Sequence, residues 1–135
     1  MTFCQKTQNR PDSCAIFWNI NILKLVKTFK VHFQRNRNVN SVFTRPQVGL
    51  IVALKHNLKP DQMILVGTSH LNFDNYRGDI KAAQVHTLME ALSQVRTKYE
   101  KKGKIARIIV AVDFNSGPSS QIYKFMREGQ MSAVT

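Results

Sequence analysis

The first half of the chain has the apolar patterns that are typical of β-strands. Apolar and polar residues alternate over 20–26 and 28–33, which predicts two antiparallel strands with one face in water. Compact or continuous apolar runs predict further strands at 13–18, 48–54 and 63–71. The Asn- and Arg-rich segment 34–46, closed by Pro46, is expected to be a loop, and 56–61 is expected to be a turn.

The apolar period changes in the second half of the chain. Apolar residues then recur at helical spacing, at Ile80, Ala83, Leu88, Leu92, Val95 and Tyr99. Asp79 as N-cap and Gly103 as terminator would bound this helix. A buried strand is expected next at 105–112, followed by a short helix at 119–129 that a serine caps and a glycine ends.

Polar side chains stand at the ends of two strands that the long helix connects. A strand, a helix and a strand in this order form a βαβ unit, whose strands are expected to be parallel and whose ligands collect at their carboxyl ends. His70 ends the first of these strands, and Asp113 and Asn115 end the second. Each group alone has a structural explanation, because Asp and Asn often cap turns. Their joint placement at one edge favours a functional site.

The net charge of the chain indicates which class of partner it would bind. The chain has 135 residues, about the size of one domain, and a net charge of +12. Residues 1–60 carry ten basic side chains and one acid, whereas residues 61–135 carry ten and seven. A positive field attracts polyanions, among which nucleic acids are the commonest. Arg35, Arg37 and Arg45 are candidate RNA contacts, although a solvated basic loop explains the same residues equally well.

Other features of the sequence bear on location and metal binding. No apolar run approaches the roughly 18 residues that span a bilayer, and the N-terminal segment lacks the apolar core of a secretory signal. Cys4 and Cys14 are expected to be reduced thiols, with Cys14 buried in a strand. His32, His56 and His86 show no zinc-like spacing with them. We therefore expect an intracellular protein, cytoplasmic or nuclear, with no membrane partner, no obligate protein partner and no metal ligands of its own.

Four segments in order carry a family resemblance. They read RPDSCAIFW (10–18), RPQVGLIVAL (45–54), GTSHLNFDNYRGDIKAAQ (67–84) and VDFNSGPSSQIYKFMREG (112–129). They resemble motifs of the endonuclease/exonuclease/phosphatase superfamily, and most of all its branch of Angel and carbon-catabolite-repressor deadenylases. The patterns there are D-G-C-A-I-F, N-V-G-L, T-H-L with an R-G-D-I-K helix start, and G-D-F-N-S. The resemblance runs from about residue 10 to residue 129.

This resemblance implies a fold and a chemistry. The fold would be an α/β one, a four-layer αββα sandwich like that of DNase I, and the reaction would be magnesium-dependent hydrolysis of phosphate esters at RNA 3′ ends. By the motifs, Asp113 would orient the attacking water, Asn115 would hold the scissile phosphate and His70 would contact it. Asp12 matches the acid of the first motif, where a structural role is expected.

The chain departs from the family pattern at several positions. Val112 replaces a small Gly or Ala and is expected to crowd the site, whereas Ser13 and Ser69 are mild replacements. Asn75, a candidate substrate-binding residue, falls where some deadenylases have a proline that helps to sandwich a base. This replacement puts the adenine preference in doubt.

Two larger parts of the family pattern have no counterpart in this sequence. They are the first strand, with its metal-binding Glu in a Q-E motif, and the final S-D-H motif. Residues 1–135 are therefore expected to form an incomplete domain that lacks the family's first and last strands and the main magnesium ligand. Because such groups act as a unit, the isolated chain is expected to be inactive. Uncovered sheet edges and apolar surface are expected to make it aggregate.

Three functions are compatible with these observations. The first is a segment of a magnesium-dependent RNA 3′-end phosphodiesterase, either a 3′–5′ exoribonuclease of the deadenylase kind or an RNA phosphatase, acting on a single-stranded end. The second is a catalytically degenerate RNA-binding module. The third is another phosphatase of the same superfamily, with a lipid or nucleotide substrate. The excess of positive charge favours RNA over the small or lipid substrates.

Overall fold

The computed structural model describes residues 2–5, 13–33, 47–74 and 76–129, and for residues 2–5 it describes the backbone alone. In chain order, the elements of these residues are β1 (Thr2–Gln5), β2 (Ser13–Ile16), β3 (Leu23–His32), β4 (Val48–His56), β5 (Gln62–His70), α1 (Gly78–Glu100), β6 (Ile105–Asp113) and α2 (Gln121–Glu128). The predicted run of strands, followed by strand, helix, strand and helix, is confirmed. β1 is a strand that the sequence patterns did not predict.

The strands form two sheets. Four of them pair in the order β3-β4-β5-β6, and β1 pairs with β2 in a separate antiparallel sheet. Within the larger sheet, β3–β4 and β4–β5 are antiparallel and β5–β6 is parallel. The parallel pair that the βαβ pattern predicted is thus confirmed, and α1 is the connection between its strands. At the carboxyl end of this pair, His70 is in register with Asp113.

β3 is one strand where two were predicted. Its pairing with β4 skips Val26, which forms a β-bulge. A bulge shifts the alternation of side chains by one residue, so residues before and after it point to opposite faces of the sheet. Accordingly, Leu25 packs on one face and Phe29 on the other. The sequence predicted a break between 20–26 and 28–33. The structure has a continuous strand there, in which the side chains change face.

The larger sheet is covered on its two faces by different elements. On one face, α1 packs through Leu88, Leu92, Val95 and Tyr99 onto Ile51, Ala53, Met63 and Leu65. On the other face, Cys14 and Ile16 of β2 pack onto Val48, Leu50, Val52 and Leu54. Helix, sheet and second sheet are three successive layers. The predicted α/β class, with packed sheets and an outer helix layer, is therefore confirmed as a partial sandwich.

The helices begin and end close to their predicted positions. α1 begins at Gly78 with Arg77 as its N-cap, so the prediction of Asp79 as N-cap was wrong. The Asp79 carboxylate instead accepts two hydrogen bonds from the Arg77 guanidinium, at 3.0 and 2.9 Å, and these bonds lower the pKa of Asp79. α1 ends at Glu100 with Lys101 as its C-cap, so Gly103, the predicted terminator, lies three residues beyond the helix, with a φ of 72°. Ser120 caps α2, as predicted. Neither of these two helices is long and apolar enough to cross a bilayer.

One face of β6 lacks a covering element among the described residues. Along this strand, Ala106 is buried beneath α1, whereas the side chains that alternate with it point away from the helix. On that second face, Ile105 and Ile109 are each 51% exposed. β6 is also the last strand in the hydrogen-bonded order of its sheet. Arg107 lies between Ile105 and Ile109 on the same face, but two exposed isoleucines beside an unpaired strand edge still favour association with other chains.

We therefore expect the isolated chain to self-associate through the exposed face of β6. Replacing Ile105 and Ile109 together by lysine should lower the average mass measured by light scattering, because charges on this face oppose stacking and edge pairing. Leu58→Lys is the matched control, since Leu58 is 87% exposed but lies in the β4–β5 turn, away from the sheet face. A monomeric unsubstituted chain with a sharp and reversible melt would contradict this expectation.

Candidate functional site

His70 and Asp113 meet at the carboxyl ends of β5 and β6. The parallel register places them directly opposite each other, and His70 Nε2 lies 3.7 Å from Asp113 Oδ2. Their side chains are 49% and 65% exposed, so both are open to a ligand in solution. The proximity predicted from the βαβ pattern is confirmed, whereas the catalytic roles of the two residues stay a prediction.

Asn115 is held in an unusual backbone conformation directly after β6. Its φ of 47° is left-handed, a region that asparagine tolerates better than most residues. Its backbone N–H donates to Asp113 Oδ1 at 2.9 Å, which closes an Asx turn. Its side-chain Nδ2 donates to the Leu71 carbonyl at 2.8 Å. An amide nitrogen carries two hydrogens, so this bond fixes the carboxamide and uses only one of them.

Both interpretations of the Asp113–Asn115 pair are therefore compatible with the geometry. Asp113 does cap a turn, but with Oδ1, whereas Oδ2 faces His70. Val112 does not crowd this face, contrary to expectation. Because side chains alternate along a strand, Val112 points to the opposite side, where it packs beneath the helices with Leu71 and Ile122.

Lys81 is a residue of the site that the sequence patterns did not identify. It lies in the first turns of α1 and is only 3% exposed. Its Nζ donates to the Asn115 carbonyl oxygen at 2.7 Å and approaches Ser116 Oγ at 3.4 Å. α1 and the turn after β6 are thus joined directly. A lysine on a helix is usually solvated, so the only signal in the sequence was its place as the last residue of the R-G-D-I-K motif.

A buried amide network supports the loop that follows β5. The Gln84 side chain of α1 donates to Gln47 Oε1 and accepts from the Asn72 backbone N–H, the latter at 3.0 Å. Asn72 Oδ1 in turn accepts from the Asp74 N–H at 2.9 Å. Gln47, Asn72 and Gln84 are all buried, and buried polar groups with complete hydrogen bonds fix a single local geometry. Residues 71–74, which follow β5, are therefore well anchored.

Other predicted site residues lie outside the described part of the chain. These are Arg35, Arg37, Arg45 and Asn75, together with Asp12 of the first motif. The substrate contacts of the first four residues and the structural role expected of Asp12 stay predictions. Cys14 is buried in β2, as expected. Of the histidines set aside, His56 accepts a hydrogen bond from the Leu58 N–H through Nδ1, which is a structural role in a turn.

The described residues do not provide a complete set of ligands for a magnesium ion. Magnesium prefers about six oxygen ligands, usually one or two carboxylates together with water and substrate phosphate. Within residues 13–33, 47–74 and 76–129, no three His, Cys, Asp or Glu side chains converge on one point. At the strand ends, Asp113 offers one carboxylate, and its Oδ1 already accepts the Asn115 N–H. These residues alone do not fit a magnesium site.

Comparison with curated proteins places the chain beside Angel and carbon catabolite repressor proteins. No family model matches the chain. Protein angel homolog 2 of Bos taurus is 33% identical over 129 residues, which cover 94% of this chain and 23% of that protein. Carbon catabolite repressor protein 4 homolog 6 of Arabidopsis thaliana is 29% identical over 141 residues, which cover 93% of this chain and 17% of that protein. The chain thus spans less than a quarter of the length of these relatives.

Solved structures agree with the sequence matches. The crystal structure of ANGEL2, a 2′,3′-cyclic phosphatase, in complex with adenosine-2′,3′-vanadate, matches with a TM-score of 0.84 and 33% identity, over 96% of this chain and 36% of that one. The human Nocturnin catalytic domain matches in fold, with a TM-score of 0.72 at 23% identity, over 94% of this chain and 46% of that one. By sequence and by fold, the chain belongs to the Angel and carbon-catabolite-repressor branch of the endonuclease/exonuclease/phosphatase superfamily.

Proposed function

We propose that the chain carries part of the active site of a phosphoesterase that acts at RNA 3′ ends, with His70, Asp113 and Asn115 as the groups that touch the substrate. The observation that carries the proposal is the pairing of His70 Nε2 with Asp113 Oδ2 at 3.7 Å, beside the fixed carboxamide of Asn115. Both side chains of the pair are about half exposed, so a substrate phosphate has access to them.

Each of these groups has a distinct part in the proposed hydrolysis. Asp113 accepts a proton from the attacking water through Oδ2, since Oδ1 is engaged in the turn. His70 and the second Nδ2 hydrogen of Asn115 donate to the phosphoryl oxygens, on which charge develops. The water oxygen bonds to phosphorus as the bond from phosphorus to a ribose oxygen breaks. The leaving ribose oxygen takes a proton from solvent water, and Asp113 releases the proton that it accepted back to solvent.

The substrate that we propose first is a single-stranded RNA end that carries a 2′,3′-cyclic phosphate. The support comes from ANGEL2, which is a 2′,3′-cyclic phosphatase and was crystallised with adenosine-2′,3′-vanadate. The net charge of +12 also supports a polyanionic substrate. Stepwise shortening of a 3′-hydroxyl end, as by a deadenylase, is the alternative reaction of the same groups. Magnesium dependence, which the resemblance implied, remains part of the proposal.

A chimera with ANGEL2 tests this proposal. In it, residues 1–135 replace the segment of ANGEL2 on which they superpose, and the chimera is compared with the chain alone. Both are incubated with short single-stranded RNAs that end in a 2′,3′-cyclic phosphate or in a 3′-hydroxyl adenosine tail, with magnesium or with a chelator. We expect the chimera to open the cyclic phosphate in magnesium only, and we expect no turnover by the isolated chain, because partners of the site are missing from it.

Each outcome of this comparison has a meaning. A chimera that folds, as judged by circular dichroism, but processes neither RNA contradicts the proposal. Shortening of the adenosine tail in place of cyclic phosphate opening supports the deadenylase alternative. Turnover in the chelator contradicts the magnesium dependence. Turnover by the isolated chain contradicts its expected inactivity.

The charge of the chain supports a second candidate function, a catalytically degenerate RNA-binding module. A chain with a net charge of +12 is expected to bind RNA with an affinity that falls steeply as salt increases. An inactive chimera, together with salt-dependent RNA binding by the isolated chain, favours this function. An active chimera rejects it.

A further inference from the structure

We propose that Lys81 is a positioning residue, whose buried ammonium group holds the turn after β6 so that Asp113 and Asn115 face the substrate. This inference rests on the proposed function for its catalytic consequence. Its structural part, the control of the turn by Lys81, stands on the geometry alone. The lysine reaches the turn from α1, a different element from the strand that carries the two residues.

The contact is strong and specific. Lys81 Nζ lies 2.7 Å from the Asn115 carbonyl oxygen, which is a short, charge-assisted hydrogen bond. A second contact, at 3.4 Å, joins the same ammonium to Ser116 Oγ. Both acceptors belong to the turn. The ammonium group thus binds the two residues that directly follow Asp113 and Phe114, and it limits the directions in which this turn can move.

The burial of this lysine indicates more than helix packing. Lys81 is the one lysine among the described residues that is buried, at 3% exposure. Taking an ammonium group out of water is costly unless its hydrogen bonds replace the lost hydration. An apolar side chain of similar length would fill the same space without that cost. The charged group is therefore best explained by what it binds, which is the turn.

Asn115 needs external support of this kind. A left-handed φ of 47° is strained for a residue other than glycine, and such conformations persist only where the surroundings fix them. Three hydrogen bonds fix this residue: its N–H donates to Asp113, its Nδ2 donates to the Leu71 carbonyl, and its carbonyl accepts from Lys81. The bond from Lys81 is the one that a helix supplies. Its loss frees the Asn115 peptide to rotate and to carry the carboxamide with it.

The test compares Lys81→Met, which removes the charge at similar volume, with Lys81→Arg, which keeps it. Lys98→Met, an exposed substitution near the other end of α1, is the matched control. Two properties are measured for each variant. The first is deuterium exchange of the peptide that contains residues 111–118, in the isolated chain. The second is kcat and KM for cyclic phosphate opening, in the ANGEL2 chimera.

For Lys81→Met we expect faster exchange in 111–118 and a kcat lower by about 100-fold, with KM changed less than about threefold, because misplacing a reacting group by about 1 Å has an effect of this size. Lys81→Arg should have a kcat of at least about a tenth of that of the unsubstituted chimera. Lys98→Met should change neither the exchange of 111–118 nor kcat and KM. If Lys81→Met does not fold, Lys81→Gln replaces it in both measurements, with the same expected directions.

Opposite results overturn the inference. Unchanged exchange in Lys81→Met shows that Lys81 does not hold the turn. Faster exchange with unchanged kcat shows that the turn moves without consequence for catalysis. Equal losses in Lys81→Met and Lys81→Arg, with KM raised in both, indicate a packing role only. If the unsubstituted chimera has no activity, the proposed function fails, and the exchange data alone decide whether Lys81 controls the turn.

Discussion

Replacing Asp113 by asparagine is expected to lower kcat of the ANGEL2 chimera by about a thousandfold, which corresponds to about 4 kcal/mol of transition-state stabilisation. The turn should survive the change. The Asn115 N–H donates to Asp113 Oδ1, and the side-chain oxygen of an asparagine accepts the same bond. What is lost is the negative charge beside His70 and the ability to take a proton from water. KM should therefore change by less than about threefold, since ground-state binding does not depend on that proton transfer.

Steady-state kinetics on the RNA with a 2′,3′-cyclic phosphate measures this effect. Asp61→Asn is the matched control, because Asp61 is an exposed aspartate at the opposite end of the same parallel pair, before β5. Its kcat should equal that of the unsubstituted chimera. Asp113→Asn with kcat within threefold of the parent would remove Asp113 from the proposed mechanism. A large rise in KM at constant kcat would assign it to substrate binding instead.

The meeting of His70 and Asp113 was predictable from the sequence for a general reason. A strand, an amphipathic helix and a second strand leave few arrangements, and the parallel pair brings the carboxyl ends of both strands to one edge. The apolar runs fixed which residues end those strands to within one position. No side-chain detail was needed, because sheet register alone sets His70 opposite Asp113.

Two features of the fold were not predictable from residue type and apolar period alone. Apolar and polar residues alternate in the same way before and after Val26. Only the pairing with β4 shows that a bulge at Val26 turns the following side chains to the opposite face of the sheet. Asp79 has the residue type of an N-cap, yet the neighbouring Arg77 guanidinium occupies its carboxylate. A partner strand decided the outcome at Val26, and a side chain two positions away decided it at Asp79.

The support of the site was the least predictable part. Lys81 and Gln84 are polar residues on a helix, which a sequence pattern assigns to solvent. Their burial becomes understandable only when the turn after β6 and the loop after β5 are in place to accept their hydrogen bonds. The groups that we propose to face the substrate were therefore visible in the sequence, whereas the hydrogen bonds that hold them in position were visible only in the structure.

Replacing Leu92 by alanine is expected to lower the free energy of unfolding of the isolated chain by about 3 to 5 kcal/mol. Leu92 is fully buried at the centre of the contact between α1 and the sheet. It lies over Gly67 of β5, where a Cβ atom would come within 2.8 Å of Leu92 Cδ1. Because Gly67 has no side chain, the strand itself offers no atoms to fill the cavity. The loss is a large share of the roughly 5 to 15 kcal/mol that stabilise a typical domain.

The same contact makes the reverse substitution informative. Gly67→Ala alone should cost about 1 to 3 kcal/mol, because the new methyl group meets Leu92. In the Leu92→Ala background, that methyl group enters the cavity instead. The double variant should therefore lose less stability than the two single variants together, by about 1 kcal/mol or more. Urea denaturation at low protein concentration measures all four chains, and Gly78→Ala, with no atom close to its added Cβ, is the control.

Strict additivity of the two substitutions would mean that Leu92 does not rest on Gly67. The consequence would reach the site, because α1 carries Leu92 and Lys81 on one rigid element that packs on the sheet. If Leu92 packed elsewhere on the sheet, α1 would be shifted. The Lys81 Nζ atom would then no longer lie 2.7 Å from the Asn115 carbonyl oxygen. If the double variant instead loses less stability than the two single variants together, α1 packs on the sheet through Leu92 and Gly67. The geometry of the turn after Asp113 depends on this position of the helix.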